Sequence, residues 1–288
     1  MLNALITGTS MGIGQATALH LARKGYRVFA SMRNPETGAA PLTDAAKIEG
    51  LPLDVIQLDV DDSDSISRAV QEVEQQAGQI DVLVNNAGIG IAGSVEEISE
   101  EALRAVFETN FFGAMRLTSA VLPGMRQRRN GAIVNVTSVS GRVAISPQFA
   151  YTASKFALEG ASEILAQEMR RFNVRVAIIE PGVILTPIFA KNRREPNMDS
   201  PYVDFSLRIG RIFAKLLEDA SSPELVAETI HHALATDEPK LRYPVGLGAE
   251  ALIGGRERMT DEELVDYGKE MSDDELADYC RKYYSIEI

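Results

Sequence analysis

Tyr151 and Lys155, in the stretch Tyr151-Thr152-Ala153-Ser154-Lys155, are the residues whose types and spacing point most directly to chemistry. Four positions apart on a helix, they share one face. A phenol ordinarily keeps its proton up to about pH 10, and a nearby ammonium favours its ionised form. Such a pair can exchange a proton with an alcohol or carbonyl near neutral pH. Tyrosine and lysine at helical spacing are more often packing or surface residues, so the pair takes its meaning from its company. Ser138 ends the run Asn135-Val136-Thr137-Ser138, thirteen positions before Tyr151. From the end of a strand its hydroxyl reaches the carboxyl edge of a sheet, where open α/β folds bind ligands. Thr137 and Ser140 are local alternatives, and a turn or capping role would account for Ser138 as simply.

Near the amino terminus, Thr7-Gly8-Thr9-Ser10-Met11-Gly12-Ile13-Gly14 follows an apolar run and opens a helix. Glycines allow close backbone approach, and the free N–H groups of a helix start attract a diphosphate. The spacing G-x-x-x-G-x-G departs from the usual dinucleotide fingerprint G-x-G-x-x-G. A tight strand-to-helix turn is the plainer reading, but the place after the very first strand favours nucleotide binding. Asn85-Asn86-Ala87-Gly88 follows another apolar run, and Asn110 sits in a helical stretch beside Phe111, Phe112 and Gly113. A buried amide there needs hydrogen-bond partners, which structure alone or a site could supply.

The elements that must position these residues follow from the pattern. Leu2 to Thr7, Arg27 to Ser31, Val55 to Leu58, Val82 to Asn85, Ala132 to Ser138, Val174 to Glu180 and Lys240 to Val245 read as strands. They are apolar on both parities, as in a parallel sheet covered on both faces by helices. Gly12 to Lys24, Ser63 to Gln76, Glu100 to Arg126 and Tyr151 to Phe172 read as the intervening helices, and a further helix starts at Ser222-Pro223-Glu224. This alternation predicts a βαβ architecture. From Pro187 to Asp219 the periodicity breaks around Pro187, Pro196 and Pro201, which predicts a helical insertion or mobile lid over residues 187–219.

Composition sets the outer limits. Against 29 basic residues stand 41 acidic ones, a formal charge of −12 over 288 residues. Such a balance disfavours nucleic acid and anionic membranes as primary partners. Cys280 is the one cysteine, so an intramolecular disulfide is impossible. His20, His231 and His232 lack ligand spacing, so no metal site is expected, and a structural role on helices suits all three. No run of about 18 apolar residues would cross a bilayer. With the chain entering its first strand without a basic leader, a cytoplasmic location is expected. Residues 261–288 carry ten acidic and three basic side chains. Short amphipathic helices over 261–268 and 273–284 are expected, with a solvated face the simpler reading and a cover for the site or a partner subunit the sharper one.

Taken in order, Thr7 to Gly14, Asp59, Asn85 to Gly88, Asn110, Ser138, Tyr151 with Lys155, and Pro181-Gly182 resemble the short-chain dehydrogenase/reductase family over residues 2 to 245. The resemblance implies a Rossmann-type, doubly wound parallel sheet of seven strands flanked by helices. That would form a single catalytic domain over 1–245, with the helical insertion and an acidic C-terminal helical extension over 246–288. It implies a nicotinamide cofactor and interconversion of alcohol and carbonyl. Tyr151 would be the acid or base, Ser138 would hydrogen-bond the substrate oxygen, Lys155 would bind the nicotinamide ribose and lower the phenol pKa, and Asn110 would support a water-linked proton path. Gly8, Ser10, Gly12, Ile13 and Gly14 would hold the diphosphate, and Asp59 and Val60 the adenine. Asn86, Ala87 and Gly88 would meet the adenosine-side ribose, and Pro181, Gly182, Val183 and Thr186 the carboxamide.

The residues themselves bear on cofactor choice. Phe29-Ala30-Ser31-Met32-Arg33-Asn34 holds no acid for a ribose 2′-OH, whereas Arg33, assisted by Ser31, suits a 2′-phosphate, so NADP(H) is expected over NAD(H). Val139, Val143, Ile145, Phe149, Ile188 and Phe189 are expected beside Ser138 as an apolar substrate wall, for a hydrophobic small molecule. Met32-Arg33-Asn34, the segment 181–189 and the long C terminus resemble the branch containing steroid and retinol dehydrogenases. A homodimer or homotetramer is implied through the helices Glu100 to Arg126 and Tyr151 to Phe172. Two other readings are an NADP-binding regulator that kept the fold, which would not need Ser138, Tyr151 and Lys155 together, and a sugar-nucleotide epimerase or dehydratase, whose glycine spacing and larger substrate domain are missing.

Overall fold

The structure, a computed structural model, describes residues 1–186, 188 and 197–287. Seven parallel strands form one sheet: β1 (Asn3–Thr7), β2 (Arg27–Met32), β3 (Leu53–Gln57), β4 (Val82–Asn85), β5 (Gly131–Val136), β6 (Val174–Pro181) and β7 (Arg242–Val245). Their order across the sheet is β3-β2-β1-β4-β5-β6-β7. The direction of winding reverses between β1 and β4, so loops leaving the carboxyl ends of these two strands part and open a crevice. Every strand pair is parallel, in register from Asn3 against Arg27 to Pro181 against Val245.

Side-chain alternation along each strand feeds two core layers. Ala4, Ile6, Val28, Ala30, Val84 and Val134 face one way, onto α1 (Gly12–Arg23) and α9 (Pro223–Ala235). Leu5, Phe29, Leu83 and Ile133 face the other, onto α4 (Ser63–Ala77), α6 (Ala114–Arg128) and α7 (Phe149–Arg170). Local chemistry ends the helices where the spacing predicts. Asp62 caps α4 by accepting from Asp64 N, and Gly78, at φ 82°, terminates it.

Two stretches differ from the sequence reading. Between β2 and β3 lie a short helix α2 (Pro35–Gly38) and the helix α3 (Ala40–Glu49), with Pro35 in the first turn of one and left-handed Gly50 ending the other. The expected helix from Glu100 to Arg126 is α5 (Glu100–Phe107), a π-helical turn over Glu108–Gly113, and α6. Such a turn inserts an extra residue into the helix and re-aims the side chains beyond it. Within the expected insertion, α8 spans Val203–Glu218, while residues 187 and 189–196 fall outside the described residues.

The acidic tail is not simply a solvated face. Its helices α10 (Ala249–Arg258) and α12 (Asp273–Tyr284), with the 3-10 turn Asp266–Gly268 that follows α11 (Asp261–Val265), bury Leu252, Tyr267, Leu276, Tyr279 and Tyr284 in a third apolar cluster. Val143 belongs to the same cluster, and Ile145 and α8 residues Phe205, Ile212 and Leu216 pack against it. The acids stay at the helix starts, where Thr260 with Glu263 and Ser272 with Glu275 form reciprocal caps.

Candidate active site

The crevice above β1 and β4 is a cleft of about 620 Å³. Its glycine-rich rim is held by tight backbone approach. Gly8 has φ 69°, and a Cβ on Gly14 would lie 2.3 Å from Gly8 O and 2.5 Å from Asn86 Nδ2. Asn86 Nδ2 donates to Thr7 O (2.9 Å) and Gly8 O (3.2 Å), while Asn86 N and Ala87 N both donate to Thr7 Oγ1 at 3.0 Å. The loops after β1 and β4 are thereby joined. Met11, at the N-cap of α1, provides no side-chain acceptor, so the first-turn N–H groups remain available to an anion in the cleft. Gly8, Ser10, Gly12, Ile13 and Gly14 all line this rim. A backbone cradle with no room for side chains, facing open helix donors, fits the diphosphate of a dinucleotide.

The other predicted cofactor residues divide. Asp59, Val60, Ala87, Gly88, Pro181, Gly182, Val183 and Thr186 line the cleft, as does Asn86. A Cβ on Gly182 would stand 2.2 Å from Leu247 O, which fixes the turn after β6 against the chain leaving β7. Arg33 is exposed at the rim beside Asn34 and Thr37, and among the described residues no carboxylate lies within ion-pair distance of it. Ser31 does not reach the cleft. Its side chain is fully buried inside β2 and its hydroxyl donates to Ile6 O at 2.9 Å, while Arg33 lies beyond the strand end. Asp61, which sequence reasoning passed over, also lines the cleft; burial pushes its carboxyl above the usual range, while Thr109 and Arg33 oppose the shift.

Ser138, Tyr151 and Lys155 converge on the cleft floor. Burial pushes the Tyr151 phenol above its usual range and the Ser138 hydroxyl opposes that shift, while Ser138 Oγ accepts from Ser140 N at 3.1 Å. Lys155 Nζ lies 5.7 Å from the centroid of the Tyr151 ring and donates to Val136 O at 2.9 Å. Burial pulls this ammonium down to about 8. Thr137, one of the alternatives to Ser138, has its hydroxyl engaged by Glu159 Oε1 and Ile179 O, while Ser140 Oγ pairs with Gln148. Asn110 lies behind this floor and does not line it. From the π-helical turn its Oδ1 accepts from Ile89 N (2.8 Å), and its Nδ2 donates to Ile89 O and Ser154 Oγ, both at 2.9 Å. It ties the loop after β4 to the helix bearing Tyr151.

Beside Ser138 the wall is apolar. Val139, Val143, Ile145 and Ile188 line it as predicted. Phe149 does not: it occupies the first turn of α7, with its N–H directed at Gly93 O. Phe189 lies outside the described residues. Sequence reasoning missed Ile209, Ile212, Phe213 and Leu216 on α8 and Leu252 on α10. The apolar spacing of 209, 212, 213 and 216 marks one helical face repeated at three and four residues, but not what that face covers.

Comparison with known proteins agrees with this geometry. The profile of the short chain dehydrogenase family matches residues 2–197. The chain is 34% identical to a 3-ketodihydrosphingosine reductase of Bacteroides thetaiotaomicron over 266 residues, covering 91% of this chain and 94% of that protein. It is 38% identical to Bos taurus retinol dehydrogenase 8 over 252 residues, covering 83% and 79%. A variant of actinorhodin polyketide ketoreductase solved with NADPH superimposes with a TM-score of 0.73 at 32% identity, covering 84% of this chain and 95% of that one.

Proposed function

The chain belongs to the short chain dehydrogenase family, and from that premise we propose an NADP(H)-dependent oxidoreductase that interconverts a hydrophobic secondary alcohol with its ketone, or an aldehyde with its alcohol. The observation that carries this reading is the convergence of Ser138, Tyr151 and Lys155 on the floor of a glycine-rimmed cleft. The nicotinamide supplies or accepts the hydride when bound. In this reading the chain's residues do the rest. The open N–H groups of α1 and the glycine turn bind the diphosphate, and Arg33 receives the 2′-phosphate. Ser138 orients the substrate oxygen, Tyr151 gives or takes its proton, and Lys155 favours the phenolate. Asn110 acts by holding Ile89 and Ser154 in place.

Two features support a hydrophobic substrate: the wall of Val139, Val143 and Ile145, and the α8 and α10 side chains opposite it. Two relatives are named for retinol and for 3-ketodihydrosphingosine, each of which carries a long hydrocarbon portion. Residues 1–245 form the catalytic unit in this proposal, and 246–288 complete its substrate wall. Exposed Phe112, Phe156 and Ile164, on the π-helical turn and α7, support self-association through these helices as a homodimer or homotetramer. No helix among the described residues is long and apolar enough to cross a membrane; a cytoplasmic location belongs to the same proposal. The test is NADPH consumption by the purified protein across ketones and aldehydes, with Tyr151→Phe alongside. Loss of about 10²-fold or more in that variant is expected, and full activity would refute the assigned proton donor.

A further inference from the structure

Behind Lys155 lies a buried acid that the proton-transfer residues do not account for. Glu159 follows Lys155 by one turn on α7 and is 4% exposed. Its Oε1 accepts from Thr137 Oγ1 at 2.6 Å, and its Oε2 accepts from Arg242 Nε and Nη2 at 3.1 and 3.0 Å. Lys155 donates to the carbonyl of Val136, the residue before Thr137. Ammonium and carboxylate therefore leave one turn of α7 for neighbouring positions at the end of β5. Gly141 rests on the same turn, since a Cβ there would meet Glu159 Cγ at 2.9 Å and Lys155 O at 3.1 Å.

The charged groups around Glu159 come from every element packed against it. Arg242 stands on β7 and also meets Glu163 of α7 (2.6 Å) and Glu180 of β6 (3.3 Å). Arg142, in the loop after β5, pairs with Glu180 (3.1 Å) and with Glu257 of α10 (2.9 Å). Burial pushes the Glu159 carboxyl above its usual range, and Thr137, Arg242 and Arg142 oppose that push. On Lys155 the sign is reversed: burial lowers it, and the charge of Glu159 works against the lowering.

We propose that Glu159 is a positioning residue for the proton transfer: as a carboxylate it is the counter-charge that keeps the buried Lys155 ammonium protonated beside Tyr151. The inference rests on the oxidoreductase reading, and Glu159 acts only through Lys155. Removing an opposite charge one helical turn away should lower the buried ammonium by about one unit, which brings loss of its proton toward neutral pH.

The experiment is an NMR titration of the full-length protein labelled at lysine Nζ and Cε, with the Lys155 signal assigned by its loss in Lys155→Met. In Glu159→Gln the Lys155 titration should move down by about one unit, and kcat/KM for ketone reduction should fall about fivefold at pH 8 yet less than about twofold at pH 6. Glu163→Gln removes a half-exposed carboxylate of the same helix but leaves Glu159 with its partners, and should not move the titration down. An unmoved Lys155 in Glu159→Gln, or an equal downward shift in Glu163→Gln, overturns the proposal. Should Glu159→Gln not fold, Glu159→Asp decides, because its charge is drawn back from Lys155 and the titration must still move down, by less; no movement overturns the proposal. The NMR signal reads Lys155 without turnover, so a wild-type protein that consumes no NADPH with any ketone or aldehyde would remove the oxidoreductase reading, while the Lys155 titration still decides this one.

Discussion

Replacing Arg33 with alanine should erase most of the preference for NADPH over NADH. Ser31 is turned into the sheet with its hydroxyl on Ile6 O, so the effect falls on Arg33 itself. Hydrogen bonds to charged groups contribute about 1.5–3 kcal/mol. Arg33 is exposed at the cleft rim, where solvent screens such a pair, so about 1–2 kcal/mol is a fair range. That corresponds to a rise in KM for NADPH of roughly 5- to 30-fold, with KM for NADH nearly unchanged. The assay is steady-state kinetics with both cofactors on one ketone, at low and at about 0.5 M salt. The gap between wild type and variant should narrow at high salt, because an exposed pair is screened within about 5 Å there. An unchanged ratio of kcat/KM for the two cofactors would refute the assignment of Arg33 to a 2′-phosphate.

Other consequences are as direct. Leu252→Ala opens the wall beside Val143 and should shift kcat/KM toward bulkier ketones by roughly tenfold, read from a substrate series. Lys155→Met should abolish turnover yet stabilise the fold by about 1–3 kcal/mol at pH 7 in denaturant melts, because burial has drawn the lysine from 10.5 to about 8. The unfolded lysine keeps its proton to higher pH than the folded one, so this contribution makes wild-type stability rise between about pH 8 and 10.5, and the variant should lack that rise. His20 and His231, with ring centroids 5.5 Å apart between α1 and α9, are both lowered by burial. The unfolded state therefore takes up protons first as pH falls through 6.5, stability falls with it, and His231→Gln should flatten the dependence of Tm on pH between 7 and 5.

How far the sequence could be read depends on how local each signal is. The strands were legible because residues such as Leu83 and Val84 are buried on opposite faces of a covered sheet. The glycine turn was legible because the close approach of Gly14 to Gly8 leaves only one residue type possible. Ser31 departs from the expectation because it lies inside β2, where Ile6 O takes up its hydroxyl, whereas Arg33 lies past the end of the strand and is exposed. Phe149 was misread because the start of α7 was set at Tyr151, two residues late, which hid its place in the first turn. Leu252 and α8 were invisible as site residues for another reason. Their approach to Val143 is a long-range packing event, and local spacing shows only that each helix has an apolar face.

This division has a physical consequence for specificity. The residues proposed for the proton transfer sit at the ends of β5 and on α7, within a sheet whose register fixes them. The substrate wall is assembled from the insertion and the tail, which pack in a separate cluster. The loop from Ser138 to Gln148 belongs to both: Ser138 opens it, Val139, Val143 and Ile145 join the tail cluster, and Tyr151 follows at once on α7. Arg142, in the middle of that loop, holds Glu180 with one nitrogen and Glu257 of the tail with another. A tail substitution that alters the wall therefore also loads the segment between the hydroxyl and the phenol. Changes in kcat and KM should accompany one another for substitutions at Val143 and Leu252, whereas changes at Ile209 and Phe213 of α8, which line the cleft but lie outside that cluster, should fall on KM.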